Sequence, residues 1–223
     1  MQRSTGIKFD SRLSTHPAMS RPFVTLLESY GRVGRSPSAS KNGYGWLNYC
    51  YLDRSFEFLL DKPRRVPTEI LKDSEMFLNF FAGYLDAEGN FRVFEDDNRV
   101  AYCIRINSED EMILRDIKRG LRAMGFHVYL GLLATPSRRN RLTKQTWTLG
   151  LFRKEEVLKL LPNLPLRHDE KARWQKLTIE SANDNWQIVK TRAAQLRLGI
   201  KAEVEEYCRL AETRFLATRR SAS

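Results

Sequence analysis

Two acidic side chains lie close together where an apolar segment ends at a glycine. Asp86 and Glu88 stand two residues apart, and Gly89 follows them directly. The preceding apolar residues recur at helical spacing, which predicts a helix that begins near Ser74 and ends at Gly89. Because the C-terminal end of a helix is already negative, each anion placed there costs a few tenths to about 1 kcal/mol. The pair of acids therefore predicts a nearby cation.

The expected cation is a hard divalent metal ion. Carboxylate oxygens favour Mg²⁺, with Mn²⁺ as the alternative, and such ions stabilise the charge that develops on the attacking and leaving oxygens during phosphodiester cleavage. The cysteines and histidines show neither a zinc-ligand spacing nor a disulfide framework. They are Cys50, Cys103, Cys208, His16, His127 and His168. A zinc site is therefore not expected.

The charge balance favours a polyanionic partner. The 223 residues carry a formal net charge of +11, with a pI of about 9.8. Residues 1–67 and 126–223 carry net charges of +6 and +9, whereas residues 68–125 carry −4. No apolar run approaches the roughly 20 residues that span a bilayer, and the N-terminus lacks a signal core. We expect an intracellular protein without a membrane partner, in a prokaryotic cytoplasm rather than an organelle.

The segments around the acids predict one antiparallel sheet. After the helix that begins at Ser74, the sequence predicts strands 90–94 and 99–106, a helix over 108–124 with Ser108 as N-cap, strands 126–133 and 145–152, and helices 154–161, 167–183 and 186–218. The order is αββαββα. It indicates an α+β fold with a four-stranded antiparallel sheet, helices on one face and the other face open.

Two small residues interrupt the bulky apolar helix. Ala82 and Gly83 would let a second helix approach closely, which large side chains would prevent. A partner helix is therefore expected, and pairing two such helices would bring two acidic ends together.

The nine residues from Phe81 to Gly89, FAGYLDAEG, resemble the signature of the LAGLIDADG homing endonucleases. The identical positions are Ala82, Gly83, Asp86, Ala87 and Gly89. The apolar replacements are Phe81, Tyr84 and Leu85, and Glu88 is an acidic replacement for Asp. The predicted element order over residues 74–183 is also similar to that of the family. The resemblance implies the αββαββα homing-endonuclease fold and a metal-dependent DNA endonuclease.

The resemblance assigns roles to the motif residues. It implies that Glu88 is a catalytic residue and metal ligand, to which the main-chain carbonyl of Ala87 contributes. Asp86, also a candidate ligand, would mainly fix the turn. The candidate helix interface consists of Phe81, Ala82 and Gly83.

The resemblance also points to polar positions outside the motif. At the end of the second strand, Asn107 or Ser108 would orient water, or alternatively would cap the following helix. Near the start of the helix after the second hairpin, Arg167 or Lys171 is a candidate catalytic residue, although either could instead cover a helix surface. A cation there would offset charge on the scissile phosphate.

The open face of the sheet is the expected DNA-binding surface. Strand alternation places Asn90, Arg92, Cys103 and Arg105 on it if Phe91, Val93, Ile104 and Ile106 are core residues. Two-stranded ribbons fit the major groove, and basic loops hold phosphates. The basic loop of the second hairpin has a counterpart loop at Arg32 and Arg35. The candidate DNA-binding residues are Asn90, Arg92, Arg105, His127, Tyr129, Arg138, Arg139, Arg141, Lys144, Arg32 and Arg35.

A weaker pattern precedes the motif. Residues 24–62 repeat the order of residues 113–161, with Trp46 matching Trp147. Residues 1–67 are therefore interpreted as a partial domain of the same fold without its first helix and hairpin, or as an extension. Residues 68–185 would be the endonuclease domain, and residues 186–223 a C-terminal basic helix.

These features predict a site-specific double-strand DNA endonuclease, associated with an intron or intein. Because one motif is present, a homodimer or a second polypeptide would supply the other acidic end. Two alternatives remain open: an RNA-binding intron maturase, or an inactive nucleic-acid-binding remnant of a split two-motif enzyme.

Overall fold

The chain forms two compact units. The computed structural model describes residues 6–11, 13–41, 43–61, 63–97, 99–135 and 144–220. One unit combines the residues up to 62 with those from 195 onward, and the other comprises residues 63–194. Among the described residues, no helix is both long enough and apolar enough to cross a membrane.

The first unit contains a three-stranded antiparallel sheet. Its elements are β1 (Gly6–Asp10), α1 (Pro17–Leu27), β2 (Gly31–Ser40), β3 (Gly43–Asp53) and a 3₁₀ helix (Arg54–Leu59). The central strand is β3, which pairs with both β1 and β2. Ser40 pairs with Gly43, whose φ of 109° suits glycine, so the hairpin closes tightly. The prediction of a loop at Arg32 and Arg35 was therefore wrong, because both residues lie on strand β2.

The second unit contains the acidic segment. Its elements are α2 (Thr68–Lys72), α3 (Ser74–Glu88), β4 (Gly89–Asp96), β5 (Arg99–Ser108), α4 (Glu111–Ala123), β6 (Tyr129–Ala134), β7 (Thr146–Leu151), α5 (Lys154–Leu160), a 3₁₀ helix (Leu161–Asn163) and α6 (Asp169–Glu180). A long helix, α7 (Trp186–Arg220), begins in this unit and continues into residues of the first. The four strands are antiparallel in the order β4-β5-β7-β6. The predicted αββαββα order is confirmed.

The start of α4 differs from the prediction. Ser108 was expected to cap α4, but it is the last residue of β5 and pairs with Trp147 of β7. The helix begins at Glu111, with Asp110 in the N-cap position. Strand pairing therefore overrides the capping preference of the serine.

The core lies between the sheet and helices α3 and α4. Each helix buries one stripe, with Phe77, Phe81 and Leu85 on α3 and Ile113, Leu114, Ile117 and Leu121 on α4. The sheet adds alternating residues from its central strands, including Ile104, Ile106, Leu149 and Leu151. Burial of each such side chain contributes roughly 1.5 to 3 kcal/mol, so this packing fixes which face of the sheet the helices cover.

The first unit repeats part of the pairing seen in the second. In both, a strand, a helix and a hairpin follow one another, and the last strand lies between the other two. Ser14 forms a bridge to Trp46 just before α1, as Ser108 pairs with Trp147 just before α4. In this pairing β1 occupies the position that β5 occupies in the second unit.

Gly120 of α4 lies directly against the ring of Phe77 of α3. A Cβ atom added there would lie 2.4 Å from ring carbons of Phe77, which is itself buried. Gly199 of α7 has no neighbour within 4 Å of an added Cβ. Both glycines are helical, so they differ in packing and not in backbone type.

We expect Gly120→Ala to lower the free energy of unfolding by about 1 to 3 kcal/mol, because the overpacking exceeds the gain in helix propensity. Gly199→Ala is the matched control and should be neutral or stabilising by up to about 1 kcal/mol. Thermal unfolding of the full chain measures both effects. Equal midpoints for the two variants would contradict the close packing of α3 on α4.

Candidate active site

The end of α3 is built so that helix and strand follow each other without a loop. The side chain of Asp73 accepts a hydrogen bond from the N–H of Met76 (2.8 Å) and starts the helix. At the other end, the N–H of Gly89 donates to the carbonyl of Leu85, and Gly89 is also the first residue of β4. A Cβ at this position would lie 2.1 Å from Cδ1 of Leu85, so only glycine fits. This arrangement holds Asp86, Ala87 and Glu88 next to the first strand of the sheet.

A lysine from α6 reaches the end of α3. Nζ of Lys171 donates hydrogen bonds to the carbonyls of Leu85 (2.7 Å) and Asp86 (2.5 Å). The ammonium group thus lies where the helix is most negative. Burial lowers the pKa of Lys171 below its ordinary value, while the carboxylates of Asp86, Glu170 and Glu88 oppose the shift. The lysine is therefore a positively charged cap for the acidic helix end.

The side-chain carboxylate of Asp86 also links the end of α3 to the start of α6. Its Oδ2 accepts a hydrogen bond from the backbone N–H of Arg167 (2.7 Å), just before α6. Its Oδ1 is buried and has no hydrogen-bond partner among the described residues. A buried carboxylate oxygen without a partner costs free energy, so this atom is available to a ligand.

Glu88 is the exposed acid of the pair. It is the last residue of α3, and no hydrogen bond or ion pair of its carboxylate is found within the described residues. Its negative charge acts on both Lys171 and Tyr84, which places it near them. Glu88 is thus held by the backbone of the helix end, while its carboxylate remains free.

Comparisons with known proteins identify the domain that carries this site. A LAGLIDADG-like domain matches residues 75–165. Residues 75–165 belong to the LAGLIDADG family. Among solved structures, the chain is similar to the homing endonuclease I-CvuI, crystallised in complex with an I-CreI target in the presence of Mg, with the DNA not cleaved. The identity is 15%, the match covers 62% of this chain and 96% of that chain, and the TM-score is 0.39. A search of curated proteins found no match.

The LAGLIDADG helix does not expose all three residues of the predicted interface. Phe81 and Ala82 are buried in the core of the second unit. Gly83 is exposed, and a Cβ added there would have no neighbour within 4 Å among the described residues. The prediction that Phe81 and Ala82 face a partner helix was wrong, because the covering sheet and helices already bury them. Only Gly83 of the three lies on the free side of the helix.

The open face of the LAGLIDADG sheet presents a row of four aligned residues, three of which are polar. The register aligns Asn90, Arg105, Gly150 and Tyr129. Asn90 and Tyr129 are exposed, as is Arg92 two residues along β4. Nε of Arg105 and Oγ1 of Thr148 on this face are buried and have no hydrogen-bond partner among the described residues. The predicted face is therefore polar, and it carries unsatisfied groups.

Two other predicted contact residues have acidic partners within the chain. His127 precedes β6, and Glu156 of α5 binds both its N–H (2.8 Å) and its Nδ1 (2.6 Å). Lys144 lies 3.4 Å from Glu109 in an exposed ion pair. Cys103 is on the expected face but is buried, so it is not a contact residue. The candidates Arg138, Arg139 and Arg141 lie outside the described residues.

The two basic candidates at and just before the start of α6 contribute in different ways. Lys171 brings its side chain to the LAGLIDADG helix, whereas Arg167 contributes its backbone N–H to Asp86. Of the two polar candidates at the end of β5, Asn107 is exposed on the open face and Ser108 is buried beneath the helices.

The site also contains an anchor that the sequence analysis missed. The hydroxyl of Tyr84 donates to Oγ of Ser108 (2.9 Å) and lies 3.2 Å from Oδ2 of Asp110. Burial raises the pKa of Tyr84 well above its ordinary value. Tyr84 occupies a position that is apolar in the motif. Only the polar residues before α4 could therefore have indicated its contact with Ser108 and Asp110. The anchor fixes the rotation of the helix that ends in Glu88.

We expect Lys171→Met to destabilise the fold near neutral pH, because two helix-end carbonyls lose their hydrogen-bond donor. Between the lowered folded pKa and the ordinary value of 10.5, the unfolded chain binds more protons at Lys171 than the folded chain does. The wild type should therefore gain stability relative to Lys171→Met as the pH rises through this window. Denaturant unfolding at several pH values measures the difference.

Lys176→Met provides the control for this experiment. Lys176 lies on the same helix, is exposed and makes only a 3.7 Å ion pair with Glu180. Its removal should change stability by less than about 1 kcal/mol. Equal losses in the two variants would contradict the capping role of Lys171.

Proposed function

We propose that the protein is a site-specific double-strand DNA endonuclease of the homing type, associated with an intron or intein. The observation that carries this proposal is the acidic end of the LAGLIDADG helix. There, one oxygen of Asp86 and the carboxylate of Glu88 have no hydrogen-bond partner among the described residues, and Lys171 lies beside them. Unpartnered acids next to a cation, at the border of a polar sheet, suit the hydrolysis of a polyanion.

The donor set fits a hard divalent ion. Asp86 offers a buried oxygen that needs a partner, Glu88 offers a free carboxylate, and the carbonyl of Ala87 lies between them in the chain. Lys171 uses the carbonyls of residues 85 and 86 but not that of Ala87. Bound by these groups, Mg²⁺ or Mn²⁺ would supply charge stabilisation at the scissile phosphate.

The protein groups have separate tasks in this proposal. Glu88 and Asp86 hold the ion, and Asp86 also fixes the start of α6 through the Arg167 N–H. The ammonium of Lys171 keeps one N–H beyond the two donated to carbonyls, and it offsets charge on the phosphate. The side chain of Arg167 is exposed and can contact a neighbouring phosphate.

The open face would read the DNA. Asn90, Arg92 and Arg105 are side-chain types that bind base edges in the major groove. Arg105 and Thr148 lie on this face, and each has a side-chain atom without a hydrogen-bond partner among the described residues. In the first unit, Arg32 and Arg35 are exposed on β2, and they would add phosphate contacts.

We expect Glu88→Gln to reduce cleavage by more than about 100-fold, since the neutral amide is a poor ligand for a hard cation. Supercoiled plasmid carrying the uninterrupted host locus, incubated with protein and Mg²⁺, measures cleavage as linear product. DNA affinity, measured in the same buffer, should change little. The matched control is Glu95→Gln, an exposed carboxylate on β4, which should retain activity.

Each outcome of the plasmid experiment is informative. Equal cleavage by the wild type and Glu88→Gln would contradict the proposed role of the acid. Splicing of intron RNA without DNA cleavage would identify a maturase. Nucleic-acid binding with neither activity would identify an inactive remnant.

Cleavage of both strands requires a second acidic end. We propose that it comes from a homodimer or from a second polypeptide that meets the free side of the LAGLIDADG helix. That side carries Met76, Asn79, Gly83 and Ala87, which are all exposed. The repeated strand pairing of the first unit supports a partial copy of the domain, and it favours a split two-motif origin.

We expect Gly83→Leu to weaken assembly while leaving the fold intact, because the side chain enters open space in the single chain but blocks close helix approach. Light scattering after gel filtration measures the mass against the 26.0 kDa of one chain. Gly199→Leu, at an equally open helical position, is the control. Unchanged assembly in Gly83→Leu would argue against this interface.

A further inference from the structure

A basic groove lies on the helix side of the LAGLIDADG sheet, away from the open face. It has a volume of about 400 Å³ and is lined by Arg115, Lys118, Arg119, Arg122, Leu130 and Trp147. The four cations share one side of α4 because they are spaced three, four and seven residues apart. The apolar stripe of the same helix is buried in the core. The groove is therefore bounded by α4 and by the helix-facing residues Leu130 of β6 and Trp147 of β7.

The acids of α4 do not neutralise this groove. Arg115 pairs with Glu111 (2.7 Å), and Arg119 lies 3.2 Å from Asp116. However, Asp116 is already engaged by Arg65, whose guanidinium donates two hydrogen bonds of 2.7 Å to it.

The remaining two cations have no acidic partner. Within the described residues, neither Lys118 nor Arg122 makes an ion pair. Partial burial lowers the pKa of Lys118, and the positive charges of Arg122 and Arg115 lower it further. The free protein thus holds like charges close together, and a bound anion would relieve their repulsion.

A second concavity shares Arg122 with the groove and lies toward the open face, because its lining residue Tyr129 belongs to the row of that face. This concavity has a volume of about 650 Å³, and its other lining residues include Phe126, Tyr129, Phe152 and Arg153. Tyr129 and Phe152 are about half exposed, and their rings are 6.2 Å apart. Cations and accessible aromatic rings therefore follow each other along one path, which is the pattern that binds single strands.

We propose that this path binds a single-stranded nucleic acid, with Lys118 and Arg122 holding its phosphodiester backbone. A duplex confined to the open face would contact Tyr129 but not the groove that Lys118 lines on the helix side of the sheet. The proposal does not depend on cleavage by the acidic site.

The test uses the full chain and fluorescein-labelled oligonucleotides of about 15 nucleotides, as RNA, as DNA of the same unstructured sequence and as DNA duplex. The double variant Lys118→Glu, Arg122→Glu should bind single strands at least about tenfold more weakly. The salt dependence should also fall, by about 0.7 in log–log slope for each lost phosphate contact. Duplex affinity should fall less than single-strand affinity.

The matched control is the double variant Lys176→Glu, Lys201→Glu, which makes the same charge change at exposed helical lysines. A second pair, Lys118→Gln with Arg122→Gln, avoids new acids and should show a smaller loss in the same direction. Thermal unfolding of every variant verifies the fold. If the wild type binds RNA more tightly than single-stranded DNA, or the reverse, the preferred sugar is identified. Either preference supports the proposal, provided that the groove variants lose single-strand affinity.

The proposal is overturned if single-strand affinity is unchanged in both groove variants or if the control pair weakens it equally. Equal loss of duplex and single-strand affinity would also overturn it, since the groove would then belong to the duplex site. Absence of single-strand binding by the wild type would have the same consequence.

Discussion

The ammonium group of Lys171 at the end of α3 is the interaction on which the candidate site depends. An acidic helix end is electrostatically unfavourable, and this lysine places a cation on its last carbonyls from a helix more than 80 residues further along the chain. Asp86 strengthens the same junction by accepting the N–H of Arg167. The chain thus stabilises a concentration of negative charge without neutralising Glu88.

The sheet separates two surfaces with different properties. One face is covered by α3 and α4 and forms the core, and the other presents a row of polar side chains in register. Because strand side chains alternate, each residue that is buried toward the helices fixes its neighbour toward the open face. The basic side of α4 adds a third surface that the alternation of the strands does not determine.

Local patterns predicted the elements well, and non-local contacts account for the differences. The apolar spacing and Gly89 gave both ends of α3, because helix periodicity and a steric requirement for glycine are visible in a few residues. The pairing of Ser108 with Trp147, and the bond between Tyr84 and Ser108, join distant segments. Burial of Ala82 likewise depends on which elements cover the helix, so spacing alone could not reveal it.

The shared role of Gly89 as helix terminus and first strand residue has a mechanical consequence. Gly89 pairs with Ile106, and the side chain after it, Asn90, faces outward. With no intervening loop to absorb motion, any twist imposed on β4 by a bound surface must tilt the carboxylate of Glu88. Binding at β4 and the alignment of the Glu88 carboxylate are therefore mechanically coupled. A poorly matched partner that distorts β4 would also misplace this carboxylate.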